Sequence, residues 1–529
     1  MTRLALVRQG WSMARGLRRL VRHPVAVATA ERTVAEEVRT RGERFLGMLD
    51  TLVWPYAAGP LHRLLTHAGV DAGAARELVA QHGLDGALEV LRDAGVYVSY
   101  EEYQGREEAR RGSATFSFVP ADFFNPVVTA DYMASTGGTR GRGTPMELSF
   151  AWQQRQGAQR AIQYSMAEVA GAPTAVWLPV FPSAAGFGAV MKISAGGNRP
   201  ERWFSQIPGR LEGVAGHKQA ANRLLPALSL LTRTGLPSPE HVPSDEPERV
   251  VRWMREALDR AGRATLTGYA SSITSAARWA VAHGVDLTGV VVYPASEPVT
   301  AGKLEAMRAA GLDPRPMYAL VPEGTIGLAC PACGDEEYHL WEQELAVTTR
   351  RRPRGDGTDV DAYCLTSLDR LAPRVLLNVE NDDYGELRRD VACDCALGRL
   401  GLGTRLAHIR GISKVVAAGV TLEGATFDEI AETALPALVG GGPGDYQFVE
   451  EDGATGTTLT LRIHPQVGPV DEGAALRAVQ DALATTDNGL LAASVWVADG
   501  GLRVERRAPT LTKAGKLLSY ERIGRLTSN

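Results

Sequence analysis

The sequence predicts an α/β protein in two parts: a large N-terminal domain of layered sheets and helices, and a small, mobile α+β domain at the C-terminal end. Three observations predict it. Hydrophobic residues are 44% and charged residues 22% of 529, near globular averages, which excludes wholesale disorder, collagen and a small disulfide scaffold. From Gly112 onward, strand-like runs alternate with helical ones, the pattern of α/β layers. Beyond Gly411 a strand pair and a helix form a separate small unit.

The elements follow in order. Residues 1–111 read as a mostly helical part of the large domain. Ala30–Asp50, Pro60–Ala68 and Ala74–Gly95 carry apolar residues at helical spacing, with glycines between them. Residues 112–410 form the core of that domain. Ala114–Val119 reads as a strand and Asp122–Pro126 as a turn. The strand-like runs Thr174–Phe181, Gly289–Tyr293 and Val375–Val379 then alternate with helices at Glu248–Arg260 and Thr300–Ala310. In residues 411–529, strands are expected at Tyr446–Glu450, Leu459–Ile463, Ala493–Val497 and Leu502–Arg506, and a helix at Gly473–Ala484. No internal repeat is visible.

Charge and cysteine usage narrow the class. The net charge is -4, so no nucleic-acid partner is indicated. Five Cys, four of them in two close pairs, suit a reducing compartment, and a cytoplasmic location is expected. No apolar run approaches a membrane span, and no secretory signal or integral membrane contact is expected. The Arg-rich N-terminus reads as a surface helix, with a membrane-touching helix as its alternative. Only six basic residues are Lys: Lys192, Lys218, Lys303, Lys414, Lys513 and Lys516. In so Arg-rich a chain each lysine is a candidate for a specific task.

The densest feature is Ser135-Thr-Gly-Gly-Thr-Arg-Gly-Arg-Gly-Thr-Pro145. Gly137 and Gly138 let backbone amides turn toward an anion at close range. Ser135, Thr136 and Thr139 add hydroxyl donors, and Arg140 and Arg142 add positive charge. This is the chemistry a triphosphate needs. No Gly-Lys-Ser/Thr ends the loop, so it is not a Walker loop, and the dinucleotide fingerprint fits poorly. A flexible surface turn is the alternative.

The loop resembles the phosphate loop of the adenylate-forming acyl-CoA synthetase superfamily, and further motifs follow in that superfamily's order. Ala295-Ser-Glu-Pro298 resembles the segment at the adenine end of the nucleotide, which implies nucleotide contacts from Ala295, Ser296, Glu297 and Pro298. Tyr318-Ala-Leu-Val-Pro-Glu323 resembles the Tyr-Gly-x-Thr-Glu motif, with one residue more and Pro322 for the threonine. The resemblance implies Tyr318 near adenine and Glu323 as a Mg²⁺ ligand, with Thr325 or Ser135 replacing the missing hydroxyl. Leu376–Gly385 resembles the strand and turn that close on the ribose; Asp383 best matches its aspartate, with Asp382 adjacent and Asp390 a second candidate. A charged hairpin turn is the alternative reading. Ile409-Arg-Gly-Ile-Ser-Lys414 resembles the interdomain hinge, with Arg410 as a ribose or phosphate contact. Thr512-Lys-Ala-Gly-Lys516 resembles the terminal motif, whose lysine reaches the carboxylate and α-phosphate.

Cys330-Pro-Ala-Cys333 and Cys393-Asp-Cys395 make a Cys₄ set for a structural Zn²⁺ if they converge. His339 reads as a hydrogen-bonded core histidine, with ligation as its alternative, and Cys364 as a buried small hydrophobe. With His339-Leu-Trp-Glu342, these cysteines narrow the resemblance to the phenylacetate–CoA ligase branch. The resemblance implies a large adenylation (AMP-binding) domain with a zinc-binding insert, and ATP-dependent activation of a small or aromatic carboxylic acid to acyl-AMP. The acyl group then passes to CoA or to the phosphopantetheine arm of an acyl carrier protein. Lys516, Glu323 and Thr139 carry the chemistry, with Trp177–Phe187 and Gly268–Ser272 at the acyl pocket. A homodimer and a role in natural-product biosynthesis are expectations of the same kind. The alternatives are an acyl-protein synthetase acting on a protein cysteine, and a catalytically degenerate nucleotide-binding scaffold.

Overall fold

The computed structural model describes residues 14–135, 145–180, 183, 185–208, 229, 232–244, 246–297, 299–320, 322–353, 359–412, 414–417, 420–453, 456–483, 502–512 and 515–523. Two short antiparallel pairs come first, β1 (Ala109–Arg111) with β2 (Ala114–Phe116) and β3 (Tyr132–Ser135) with β4 (Pro145–Leu148). The larger parallel sheet is built from β5 (Thr174–Trp177), β6 (Pro200–Ser205), β7 (Pro239–His241), β8 (Ala264–Tyr269), β9 (Val290–Ala295) and β10 (Asp313–Pro314), in the order β10-β9-β8-β5-β6-β7. Every pairing in it is parallel. A parallel sheet is covered on both faces, and that is why β5, β8 and β9 are buried at every residue.

Alternation decides which helices each face meets. Val290 and Val292 pack with Ala175, Trp177 and Leu266 against α7 (Glu248–Ala261) and α8 (Ala270–Ala282). Val291, Tyr293 and Val176 point the other way, against α1 (Val27–Arg39), α5 (Phe150–Met166) and α6 (Ala185–Ala195). Ser149 starts α5 by accepting from the Trp152 amide, and Gly262 ends α7 at φ 70°, a conformation costly for any residue with a Cβ.

The second sheet is antiparallel. It comprises β11 (Met317–Leu320), β12 (Gly324–Leu328), β13 (Glu337–Leu340), β14 (Leu345–Pro353), β15 (Asp359–Ser367), β16 (Val379–Arg388) and β17 (Arg405–Gly411), in the order β11-β12-β13-β17-β16-β15-β14. The helices α2 (Arg41–Leu52), α3 (Pro60–His67) and α4 (Ala72–Asp93) cover it through Phe45, Met48, Leu49 and Leu88. The last strand of this sheet ends at Gly411. The short hairpin β18 (Lys414–Ala417) and β19 (Val420–Glu423) follows.

The C-terminal part has its own core. A four-stranded sheet of β20 (Tyr446–Gly453), β21 (Gly456–Ile463), β22 (Leu502–Arg506) and β23 (Tyr520–Ile523) runs β22-β21-β20-β23. It packs on α10 (Glu472–Leu483) and on the irregular helix at 424–439 through Phe427, Phe448, Leu461 and Val479. In the large domain, α9 (Ala301–Ala309) follows β9 and leads into β10. The strand expected at Ala493–Val497 lies outside the described residues.

Three local expectations are corrected. Of the strand expected at Val375–Val379 only Val379 is extended in a ladder, as the first residue of β16. Asp122 and Phe123 belong to a 3-10 turn at Pro120–Phe123, where Asp122 accepts from the Val119 amide. Residues 381–385 are not a turn but the middle of β16. Asp382 takes φ 72°, and the register shifts between Tyr384 and Glu386, so the strand bulges and continues. A Cβ at Gly385 would lie 2.5 Å from the Tyr363 hydroxyl, which is why the bulge needs glycine there.

Candidate active site

One cavity of about 220 Å³ gathers much of the expected nucleotide site. Its walls include Ser296 and Glu297 after β9, Tyr318 on β11, Asp383 on β16 and Arg410 on β17. Ala295 is the last residue of β9 and is buried beside them. Pro298 lies outside the described residues. So do Thr136, Gly137, Gly138, Thr139, Arg140 and Arg142, together with the side chain of Ser135.

The bulge in β16 aims Asp383 at Tyr318. The Tyr318 hydroxyl donates to Asp383 Oδ2, and Asn381 Nδ2 donates to both, at 2.7 Å to the hydroxyl and 3.1 Å to the carboxylate. Burial, and then the Asp383 charge, push the Tyr318 pKa well above its ordinary value. The phenol therefore stays protonated and works as a donor and a ring surface. Asp390 is not among the walls; its neighbour Val391 bonds back to Gly403. Arg410 is paired with Glu336 at 2.7 Å, so its guanidinium enters the cavity already neutralised. Sequence reasoning missed Tyr338 and Asp428, which also line it. Asp428 comes from the small domain, and burial followed by Glu432 raises its carboxyl to about 6.

Lys516 reaches this region from the far end of the chain. Its Nζ donates to the Ser296 carbonyl at 2.8 Å and sits 5.5 Å from the centre of the Tyr269 ring. Ser296 takes φ 70°, strained for a serine, and its carbonyl is the one that receives the lysine. The next residue, Leu517, donates its amide to Glu297 Oε1 at 3.2 Å. Glu297 also accepts from the Ser271 amide at 2.7 Å and hydroxyl at 3.0 Å. Burial lowers the Lys516 pKa, with the Glu297 charge opposing it. Burial likewise raises Glu297, with Lys303 the largest opposing influence.

Glu323, expected at magnesium, is placed differently. It is 3% exposed, and both carboxylate oxygens accept from Arg374, which also bonds the Tyr103 hydroxyl. Burial alone would lower the Arg374 pKa, but Glu323 and Tyr103 hold it above its usual value. No motif marked Arg374, because it lies 51 residues from its partner and only the fold joins them. Thr325 is buried on β12, where its hydroxyl accepts from Arg160 at 3.3 Å.

A second centre lies at the end of β12. The donor atoms of Cys330, His339, Cys393 and Cys395 all fall within 4.8 Å of one another. Cys330 Sγ and Cys393 Sγ are 3.8 Å apart, and Cys395 Sγ is 3.2 Å from His339 Nε2. Zn–S arms of ~2.3 Å at tetrahedral angles span ~3.8 Å between sulfurs, so the donor set fits zinc. His339 Nδ1 donates to the Leu402 carbonyl at 2.8 Å, which fixes the proton there and leaves Nε2 as a lone pair facing the thiols. His339 thus stands with three of the four expected cysteines, Cys330, Cys393 and Cys395. The Cys333 sulfur stands outside the group, 3.4 Å from Cys330 Sγ, and receives the Arg405 guanidinium. Cys364 is fully buried elsewhere, in β15, and burial raises its thiol pKa.

No protein-family model matches the chain, and no curated protein does. Solved structures do. One is 2-hydroxyisobutyryl-CoA ligase in the postadenylation state with R3-HIB-AMP, at 13% identity, 96% of this chain, 89% of that chain and a TM-score of 0.48. Another is the O-succinylbenzoate coenzyme A synthetase of Bacillus subtilis with AMP, at 11% identity, 74% and 68% of the two chains and a TM-score of 0.41. A third is the anthranilate CoA ligase AuaEII with anthranoyl-AMP, at 11% identity, 73% and 64% and a TM-score of 0.40.

Proposed function

We propose that the chain is an adenylate-forming acid–thiol ligase of the phenylacetate–CoA ligase kind. It joins a carboxylic acid to AMP at the expense of ATP, then passes the acyl group to the thiol of CoA or of a phosphopantetheine arm. In the first half-reaction a carboxylate oxygen attacks the α-phosphorus and pyrophosphate leaves. In the second, a thiolate attacks the acyl carbon and AMP leaves.

The observation that supports this most is the entry of Lys516, from the small domain, beside Ser296, Glu297 and Tyr269 at the edge of the Tyr318–Asp383 cavity. A long ammonium there faces the position where charge builds on an attacking carboxylate and an α-phosphate. Asp383 has a carboxylate to accept ribose hydroxyls, and Tyr318 and Tyr338 offer ring faces for adenine. The chain's phosphate contacts fall to the loop at Ser135–Pro145, with Thr139, Arg140 and Arg142 as donors. Magnesium enters with ATP; for Glu323 to serve as its ligand, Arg374 must give up the carboxylate it now holds. The Cys330–His339–Cys393–Cys395 centre would hold structural zinc, which supplies cross-linking rather than a reacting group.

Pyrophosphate exchange over a panel of carboxylic acids tests the reading. Exchange with at least one acid is expected. Lys516→Ala should lower it by at least 100-fold while ATP-binding affinity changes less than about threefold. A folded, ATP-binding protein that exchanges with no acid would refute the ligase, and unchanged exchange in Lys516→Ala would remove the lysine from the mechanism.

A further inference from the structure

The turn that carries Lys516 is closed on itself. Thr512 donates its amide to the Lys516 carbonyl at 2.8 Å, and Gly515 donates its amide to the Thr512 carbonyl at 2.7 Å. The Lys516 amide donates to the Thr512 hydroxyl at 3.0 Å, and Leu511 and Leu517 bridge at the base. Whatever orients this unit therefore orients the lysine. It touches the large domain at Gly515, which takes φ 75°; a Cβ there would lie 2.7 Å from Gln206 Cβ. Gln206 is itself held by α8, donating from Nε2 to Ser272 Oγ at 3.0 Å.

Glu297 meets the same unit from the large domain. Its Oε1 accepts from the Leu517 amide at 3.2 Å and the Ser271 hydroxyl at 3.0 Å, while Oε2 accepts from the Ser271 amide at 2.7 Å. Ser271 is the second residue of α8, a thirteen-residue helix that gets no side-chain cap from its own N-cap residue, Tyr269. Glu297 supplies the missing acceptor from 26 residues away, where the open amides of a helix start favour an anion. Seven residues further along α8, and so on the same face, Arg278 pairs with Asp445 and donates to the Pro443 carbonyl at 3.4 Å. One stripe of α8 thus meets the small domain twice, the first time through Glu297. That side chain is a wall of the nucleotide cavity, yet both its oxygens are engaged by protein donors.

Two consecutive residues of the turn therefore bind two consecutive residues after β9: Lys516 Nζ the Ser296 carbonyl, and the Leu517 amide the Glu297 carboxylate. These contacts differ in one respect. Lys516 must give up Ser296 when its ammonium turns to a substrate, whereas the Leu517 amide can stay where it is. We propose that Glu297 is a positioning residue of the adenylation step, holding the lysine turn against the start of α8 through the Leu517 amide while the ammonium serves the reacting carboxylate and α-phosphate. This rests on the adenylation reading, and it assigns the Glu297 side chain to the lysine rather than to the nucleotide. A glutamine cannot replace it, because three donors converge on the carboxylate and an amide offers one acceptor oxygen beside a donor of its own.

The test combines pyrophosphate-exchange kinetics with amide hydrogen exchange on the full chain. Glu297→Gln should lower kcat by about 30-fold or more while the KM for ATP changes less than about threefold; a nucleotide contact would instead raise that KM and spare kcat. The Leu517 amide should exchange at least tenfold faster in Glu297→Gln, with β20 as protected as in wild type, which shows the small domain still folded. In Lys516→Ala the Leu517 amide should stay protected, because its acceptor remains. Glu297→Asp keeps an anion at the helix start but is one methylene short of Leu517, and should show the same loss of kcat and of protection. Unchanged Leu517 protection in Glu297→Gln, or a tenfold rise in the KM for ATP with kcat kept, would overturn the proposal. If wild type exchanges pyrophosphate with no acid, the ligase reading fails by itself. The Leu517 amide then decides whether Glu297 docks the turn: faster exchange in Glu297→Gln upholds that role, and unchanged exchange removes it.

Discussion

Glu344 sits 2% exposed between α5 and β14, and burial pushes its carboxyl up to about 7. Folding therefore favours its protonated form. Its stability contribution is complete below pH ~4.5, the unfolded value, and is lost as pH rises through 7. Glu344→Gln, uncharged at every pH, should match the wild-type Tm near pH 5 and exceed it by a few degrees at pH 8. Melting curves at the two pH values check this, and an equal difference at both would contradict it. His339 and Cys333 make a second contrast. His339→Ala should lower bound zinc from about one per chain to well below one, whereas Cys333→Ser should keep the metal; elemental analysis of the purified variants decides. The nearness of His339 to the thiols could not be read from spacing. Cys-x-x-Cys is a familiar knuckle, and only the fold shows that Arg405 takes the second sulfur and that β13 delivers an imidazole. The pairing of Glu323 with Arg374 was hidden for the same reason, because a carboxylate in a loop carries no sign of which distant cation it will meet.

At the scale of elements, regular structure was well marked in the chain. The Val290–Ala295 run is apolar throughout because both faces of its sheet are covered, and the helix at Glu248–Ala261 ends at a glycine in left-handed conformation. What escaped was local backbone irregularity. Asn381-Asp-Asp-Tyr-Gly385 has the composition of a turn, and only cross-strand pairing with β15 and β17 turns it into a bulge. That bulge positions Asp383. Gly385→Ala forces a Cβ to within 2.6 Å of the Ala407 carbonyl as well as onto Tyr363. It should weaken ATP binding by about tenfold or more while melting only moderately lower; titration with ATP and a melting curve together test whether the shape of the strand serves the nucleotide.

Across the whole molecule, the small domain is fastened to the large one by charge. Lys303 Nζ on α9 meets Glu432 Oε1 at 2.6 Å, and Thr300 Oγ1 donates to the other oxygen at 2.9 Å. Arg278 on α8 pairs with the buried Asp445. Breaking a buried pair by neutralising one partner costs ~3–5 kcal/mol, and here that cost falls on the docked orientation alone. Glu432→Gln should therefore slow acyl-AMP formation by tenfold or more while leaving thiol transfer from supplied acyl-AMP nearly intact. Equal losses in both half-reactions would show a merely structural role. The sulfur–imidazole centre has a consequence on this same scale. It ties the end of β12 to the segment just ahead of β17, and β17 delivers Arg410 and Gly411 to the junction of the two domains. If the centre holds the proposed zinc, chelation is therefore expected to loosen this junction, and with it the proposed adenylation, from outside the Tyr318–Asp383 cavity.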